Sequence, residues 1–161
     1  IIVPRHPVRG GEIALEIGRR HGIALRSKRQ RITEDTVFYI ADTLGELGLF
    51  YRLCDTVFMG GSLVRHGGQN PLEPARLSCA VLTGTHTHNF AAIYASMEKD
   101  GGCVRVKNEA DLAAQVTNLL SNPQRADAMR KASRAWVERL GGASERLLGA
   151  LDPVYKLLRR P

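Results

Sequence analysis

The fold is decided by the stretch TVFMGGSLVRHGGQNPLEPARL at residues 56–77. Its first four residues, Thr56–Met59, are β-branched or apolar and predict a buried strand that runs directly into a pair of glycines. A short helix is predicted at Pro71–Leu77, because Pro suits the first helical position and Asn70 can cap it. Glu73 has capping-box spacing from Asn70. A buried strand followed by a glycine-rich loop and a helix is typical of α/β proteins.

The alternation of short apolar strands and longer helical segments continues on both sides of this stretch. Further strands are predicted at Ile1–Val3, Ile23–Arg26, Val37–Ile40, Ala80–Thr83 and Val104–Val106. Helices are predicted at Gly11–His21, Leu44–Leu53, Phe90–Lys99, from a cap at Asn108, from Pro123, and at Ser144–Leu151. The apolar stripes of the helices after Asn108 and Pro123 are predicted to include Leu120 and Leu140. This order of elements predicts a parallel sheet with helices on both faces.

The composition indicates one ordinary globular domain over residues 1–161. Hydrophobic residues make up 43% and charged residues 24%, which excludes a disordered or low-complexity chain. The 3 cysteines lie far apart, with neither zinc-site spacing nor a disulfide framework, which suits a reducing compartment. No apolar run approaches the roughly 20 residues that a membrane helix needs. Since the chain opens at Ile1 without Met, we expect a piece cut from a longer protein.

The loops that follow the predicted strands are the candidate binding segments, because ligands of parallel α/β sheets bind beyond the carboxyl ends of the strands. Two prolines stiffen the loop after the first strand, so Arg5 is held there and could pair with a phosphate. A solvated surface turn is the alternative. After the third strand, Thr43 and Glu46 have capping-box spacing at a helix start that could also attract an anion.

The glycine-rich loop after Met59 is the most informative of these segments. Its two glycine pairs let the backbone approach a ligand closely, the N–H groups of the next helix can face a phosphate, and Glu73 can accept hydrogen bonds from ribose. The pattern is neither a Walker loop nor GxGxxG, which disfavours ordinary ATPases and Rossmann dehydrogenases. A nucleotide cradle is therefore favoured over a simple turn. In the following loop, His86 and His88 lack a third ligand, so substrate contact or loop hydrogen bonding is favoured over a metal.

Five of these segments, taken together, resemble a known family. They are PRHP at 4–7, DTLGEL at 42–47, GGSLV at 60–64, GQNPLEP at 68–74 and GTHTHNF at 84–90. In this order and spacing they resemble the 3-deoxy-D-manno-octulosonic acid (Kdo) transferases of lipopolysaccharide synthesis, from Ile1 to about Leu140. The resemblance implies a Rossmann-like parallel sheet with helices on both faces. It would be the C-terminal, donor-binding half of a glycosyltransferase-B architecture, with a helical C-terminal segment.

The resemblance also implies an activity, which is transfer of Kdo from CMP-Kdo to a lipid A precursor at the cytoplasmic face of the bacterial inner membrane. We expect no cofactor and no metal. The residues implied to contact CMP are Pro4, Arg5, Leu44, Gly45, Glu46, Asn70, Pro71, Leu72 and Glu73. Possible further donor contacts are His6, Gly61, Ser62, Gly68 and His86. The catalytic base is implied to lie in an N-terminal acceptor domain, so we expect this chain to be a soluble fragment that binds CMP weakly and transfers nothing.

The implied mechanism assigns the departing phosphate to Arg5 and to the helix N-termini at Gly45 and Asn70, which stabilise its growing negative charge. Glu73 would fix the ribose.

Three positions depart from the family pattern: Leu44 stands where Met is usual, Gln69 where His is usual, and Thr85 where Pro is usual. Leu44 keeps the volume of Met, so the base pocket should persist. Gln69 keeps hydrogen-bonding capacity without a titratable role. Thr85 loosens the loop of His86, a candidate sugar contact. These departures put substrate preference and the number of Kdo residues per acceptor in question.

The positive charge leaves two alternatives open. Lys and Arg number 23 against 16 Asp and Glu, a net +7, which suits nucleic acid, an anionic membrane or a phosphate-bearing substrate. One alternative is the donor domain of a UDP-sugar transferase. The other is a basic module that binds nucleic acid or anionic lipid through Arg26, Lys28, Arg29 and Arg31. Because aromatic residues do not interleave with these cations, we predict no nucleic-acid partner and assign this loop and the tail at 159–160 to an anionic membrane surface.

Overall fold

The computed structural model describes residues 1–18, 21–142, 147–152 and 155. Contacts divide the chain into two compact units, Ile1–Leu53 and Cys54–Pro161. Each unit has its own parallel sheet, so the α/β class with parallel strands is confirmed. A single domain over residues 1–161 stays a prediction.

The sheet of the first unit pairs β1 (Gly22–Leu25) with β2 (Thr36–Ile40) in parallel. Ile2 forms an isolated parallel bridge with Ile40, which places the strand predicted at the start of the chain beside β2. The register between β1 and β2 shifts so that Val37 has no partner, which makes it a bulge. The Val37 side chain is accordingly 63% exposed.

The helices of the first unit are shorter than the sequence predicts. α1 (Gly10–Ile17) follows a 3₁₀ turn at Pro7–Arg9 and stops before His21, because the backbone turns at Gly18. Residues 19–20 of that predicted helix lie outside the described residues. α2 (Leu47–Leu53) begins later than predicted, for a reason found in the loop that precedes it.

The sheet of the second unit has the strand order β3-β4-β5, all parallel. β3 (Thr56–Met59) and β4 (Ala80–Thr83) match their predicted bounds, and β5 (Cys103–Arg105) starts and ends one position earlier than predicted. The helices of this unit are α3 (Leu72–Arg76), α4 (Ala91–Lys99), α5 (Glu109–Ser121) and α6 (Pro123–Arg139).

Helices cover both faces of the second sheet, as predicted. Val81 of β4 packs into one buried cluster with Tyr94 of α4 and Trp136 of α6. Leu82, which points to the opposite face, packs with Leu119 of α5 and with α6. Since successive strand residues face opposite sides, one buried strand holds both layers of helices together.

The C-terminal helices start where the sequence predicts. Asn108 caps α5 by accepting a hydrogen bond from the Asp111 N–H at 2.9 Å, and Asn122 caps α6 in the same way. The prediction that Leu120 and Leu140 belong to the apolar stripes is wrong, since they are 73% and 45% exposed. Leu119 takes the buried position in α5, and Leu140 lies just beyond the end of α6. Residues 147–152 and 155 are helical, whereas 144–146 of the last predicted helix lie outside the described residues.

The cysteines behave as small apolar residues. Cys79 and Cys103 are buried, and burial raises the pKa of the Cys79 thiol to about 11 and that of the Cys103 thiol to about 12. Cys54 is half-buried. Among the described residues, no helix combines the length and the apolar character that crossing a membrane requires.

Candidate functional site

Two of the predicted binding segments of the first unit leave the same edge of its sheet. The Ile2 N–H donates to the Tyr39 carbonyl at 2.8 Å, and the Ala41 N–H donates to the Ile2 carbonyl at 2.8 Å. The segments that follow, 4–6 and 42–46, therefore start side by side. Pro4 is half-buried, while the side chains of the next two residues, Arg5 and His6, are exposed at this edge.

Asp42 anchors the second of these segments rather than facing solvent. It is buried, and it accepts hydrogen bonds from the Ser27 N–H at 2.8 Å and the Ser27 hydroxyl at 2.6 Å. Burial raises the pKa of the Asp42 carboxyl, but the Ser27 hydrogen bonds, together with the Asp42 N–H and the charge of Lys28, outweigh that effect and hold it below its ordinary value. The carboxylate thus fastens the loop after β2 to the turn after β1.

Glu46 does not form the predicted capping box with Thr43. Its carboxylate accepts two hydrogen bonds from Arg26, one of them from Nε at 3.0 Å, and another from the Thr43 hydroxyl. The Glu46 carbonyl accepts from the Leu49 N–H at 2.9 Å, so the helix starts here. Gly45 has a φ of +82°, which is not helical, so the helix cannot begin at its predicted start, Leu44.

The Arg26–Glu46 pair also changes the interpretation of the basic loop. Arg26 follows β1 directly, and its guanidinium additionally lies 3.4 Å from the Tyr39 hydroxyl. Arg26 is therefore a partner of the loop after β2. The assignment of the basic loop to a membrane surface stays a prediction, and the tail at 159–160 lies outside the described residues. Lys28, Arg29 and Arg31 remain exposed.

A cavity of about 570 Å³ lies beside this pair. Arg26, Tyr39, Thr43 and Glu46 line it, with part of the turn after β1. Leu44 is not part of this lining, and its side chain is 80% exposed. The cavity is therefore lined by polar and charged groups, and the base pocket expected around Leu44 stays a prediction.

Acid is expected to remove the stability that the Glu46 contacts supply. Hydrogen bonds from Arg26 and Thr43 lower the pKa of Glu46 from 4.5 to about 2. Their contribution is therefore present above pH 4.5 and is lost as the pH falls toward 2. Because the Arg26 and Glu46 side chains are 38% and 30% exposed, solvent screening keeps the effect on stability modest.

The substitution Glu46→Gln should flatten the fall of the urea-denaturation midpoint over that pH window. Glu34→Gln, at an exposed position of the same unit, is the matched control. Equal acid sensitivity of the wild-type protein and E46Q would contradict the pairing.

In the second unit, Ser62 joins the loops that follow β3 and β4. Its side chain is fully buried, and its hydroxyl donates to the Met59 carbonyl at 2.5 Å and accepts from the Gly84 N–H at 2.7 Å. The Ser62 carbonyl accepts from the His86 N–H at 2.8 Å. The hydroxyl therefore positions both loops, and contact of this side chain with a donor stays a prediction.

The segment before α3 is held against its own loop and against the core. The Gly68 N–H donates to the Gly61 carbonyl at 3.0 Å, which folds the loop back on itself. The buried Tyr94 hydroxyl donates to the Gln69 carbonyl at 2.7 Å. This bond comes from α4 and fixes the backbone directly before Asn70.

The start of α3 offers fewer N–H groups than the sequence leads one to expect. The Asn70 side chain accepts from the Leu72 N–H at 3.0 Å, and the Ala75 N–H donates to the Pro71 carbonyl at 3.1 Å. Pro71 and Pro74 have no N–H. Among the described hydrogen bonds, only the Glu73 N–H of this turn has no protein acceptor, and the Glu73 side chain is exposed. With only five helical residues, α3 supplies one donor rather than a row of them.

Solved structures and curated proteins similar to this chain are known. The fold matches the C-terminal CMP-Kdo binding domain of WaaA from Acinetobacter baumannii with a TM-score of 0.78 and 28% identity, over 84% of this chain and 72% of that one. The chain is 37% identical to the 3-deoxy-D-manno-octulosonic acid transferase of Haemophilus influenzae, over 95% of this chain and 36% of that protein. It is 32% identical to the transferase of Bordetella pertussis, over 94% of this chain.

The chain is homologous to the Kdo transferases. The fold predicted by the resemblance, one half of a glycosyltransferase-B architecture, is confirmed with it. The chain spans 36% of the length of both the Haemophilus influenzae and the Bordetella pertussis protein. No family-level sequence model matches it.

Within each unit, the structure brings the predicted Kdo transferase site residues to the carboxyl edge of that unit's sheet. The first unit holds Pro4, Arg5, His6, Leu44, Gly45 and Glu46 there. The second holds Gly61, Ser62, Gly68, Asn70, Pro71, Leu72, Glu73 and His86. No group of three or more His, Cys, Asp and Glu side chains suited to a metal occurs in the described part of the chain.

Sequence reasoning missed three side chains that hold these loops. Arg26 and Arg105 stand at strand ends, where the rule that selected the other loops could have found them. In the sequence, Arg26 looks like part of a basic run. The last strand is predicted at Val104–Val106, which puts Arg105 inside the strand rather than at its end. Tyr94 occupies a core position of α4, and nothing in its spacing signals a polar role.

Proposed function

We propose that this chain is the donor-binding part of a glycosyltransferase that moves Kdo from CMP-Kdo to a lipid A precursor. The observation that carries the proposal is the match to a domain described as binding CMP-Kdo. The curated relatives are Kdo transferases. The loops that follow the strands of each sheet carry residues suited to bind a nucleotide.

In this proposal each polar group has a defined task. Arg5 donates charge-assisted hydrogen bonds to the phosphate as CMP departs, which stabilises the growing negative charge. The Glu73 N–H adds one donor, and the Glu73 carboxylate accepts from ribose hydroxyls. A base from the remaining length of the transferase activates the acceptor hydroxyl.

The acceptor and the membrane belong to the same proposal. A lipid A precursor carries its sugar at a membrane surface, so the complete protein would work at the cytoplasmic face of the inner membrane. Lys28, Arg29 and Arg31 are exposed and could be attracted by anionic lipid. Because the proposed base comes from the rest of the transferase, the chain by itself binds CMP and transfers no Kdo.

Calorimetric titration of the chain with CMP, UMP and UDP tests the proposal. CMP is expected to bind more tightly than either uridine nucleotide. A preference for UDP would favour a UDP-sugar donor domain instead. Kdo transfer by the chain alone would show that its own residues include the catalytic base.

The substitution Tyr94→Phe is expected to weaken CMP binding about fivefold, because one buried hydrogen bond contributes about 1 kcal/mol. The ring stays in the core, and the bond from the Tyr94 hydroxyl to the Gln69 carbonyl is lost. Tyr155→Phe, at a side chain that is 58% exposed, is the control. Equal CMP affinity of both variants would show that the bond before Asn70 does not position the site.

A further inference from the structure

Arg105 at the end of β5 reaches across the sheet edge to the loop that follows β4. Its Nη1 donates to the Gly84 carbonyl at 3.1 Å and to the Thr87 hydroxyl at 3.0 Å. The other side of the guanidinium pairs with Glu98 at 3.2 Å. Because Arg105 stands opposite Thr83 in the parallel register, its side chain lies beside the point where β4 ends.

The loop that Arg105 contacts is also held from the opposite side. Ser62, after β3, binds the N–H groups of Gly84 and His86. The loop from 84 to 87 is thus hydrogen-bonded on one side to Ser62 and on the other side to Arg105 of β5. His86, within this loop, is half-buried. A Cβ added at Gly68 would lie 3.4 Å from the His86 carbonyl oxygen. The two loops are therefore in contact at the sheet edge.

We propose that Arg105 is a positioning residue for the sugar of the donor. The proposal rests on the proposed function, in which the segment 70–73 after β3 holds the nucleotide. In the order β3-β4-β5, the loop after β4 is the neighbour of the loop after β3, so a group attached to the phosphate would meet the loop of His86. Arg105 keeps that loop in one conformation, and its loss leaves the Gly84 carbonyl and the buried Thr87 hydroxyl without their guanidinium donor.

Affinities for CMP and for CMP-Kdo, measured by calorimetry on the wild-type chain, R105Q and E98Q, test this role. The wild-type chain is expected to bind CMP-Kdo about tenfold more tightly than CMP, and R105Q to lose that preference while its CMP affinity stays within about twofold. E98Q removes the ion pair but leaves both bonds from Arg105 to the loop, so it should behave as wild type. If R105Q fails to fold, Arg105→Lys, which keeps the charge and loses the fork, should show the same loss in part.

Three results would overturn the positioning role. They are a preference for CMP-Kdo retained by the Arg105 variants, no such preference in the wild-type chain, and equal losses in R105Q and E98Q. A wild-type chain that binds no CMP would overturn the proposed function, and the role of Arg105 with it.

Discussion

Replacing Gly84 by Ala is expected to destabilise the protein by about 3 kcal/mol and to weaken CMP binding at least about tenfold. A Cβ at this position would lie 2.2 Å from the Ser62 carbonyl oxygen and 2.6 Å from the Leu63 nitrogen. Both are backbone atoms, so no side chain can move aside to make room. The loops after β3 and β4 would have to separate, and the bond between the Gly84 N–H and the Ser62 hydroxyl would be lost.

Gly60→Ala is the matched control for this change, because a Cβ at Gly60 would meet no atom within 4 Å. Both substitutions add one methyl group to a glycine that directly follows a strand of the second unit. Urea denaturation and CMP titration of the two variants measure the difference. Free energies of unfolding within about 0.5 kcal/mol of each other would show that the close approach of the two loops is not required.

The substitution Arg5→Ala is expected to weaken CMP binding by about 10- to 100-fold with little change in stability. Hydrogen bonds between a guanidinium and a phosphate are charge-assisted, and each contributes about 1.5–3 kcal/mol. Loss of one such hydrogen bond corresponds to a change in affinity of about 10- to 100-fold. Because Arg5 is exposed, its removal leaves no cavity in the fold.

Arg9→Ala provides the comparison for Arg5→Ala. Arg9 is an exposed arginine of the same unit, and it pairs with Glu12 at 3.3 Å rather than standing at the strand end. CMP affinities of the two variants, measured at the same ionic strength, separate a specific contact from general charge. Equal losses in both would indicate attraction by net charge alone.

The strands were predictable because each is a short apolar run between turn residues. β3 and β4 match their predicted bounds, since a glycine follows Met59 and another follows Thr83. Helix starts were less predictable. The start of α2 depends on the positive φ of Gly45 and on where the Glu46 carboxylate finds its partner. Capping-box spacing alone does not decide between a bond to the nearby backbone and a bond to a distant arginine.

The position of the candidate site was predictable, but its hydrogen bonds were not. The rule that ligands bind beyond the carboxyl ends of parallel strands selected the loops that the structure places at each sheet edge. Which side chains hold those loops depends on contacts between distant segments. Ser62 looks like a ligand-facing hydroxyl in the sequence, but the Gly84 N–H lies 2.7 Å from its oxygen. Tyr94 looks like an ordinary core residue, and its hydroxyl binds the backbone before Asn70.

The most direct test of CMP binding at the carboxyl-edge loops is a map of backbone amide shifts as CMP is added to the ¹⁵N-labelled chain. The largest shifts are expected at Arg5, Gly45, Glu46, Asn70 and Glu73, with α5 and α6 unchanged. Shifts confined to the basic loop at 28–31, or spread along α6, would contradict CMP binding at these loops.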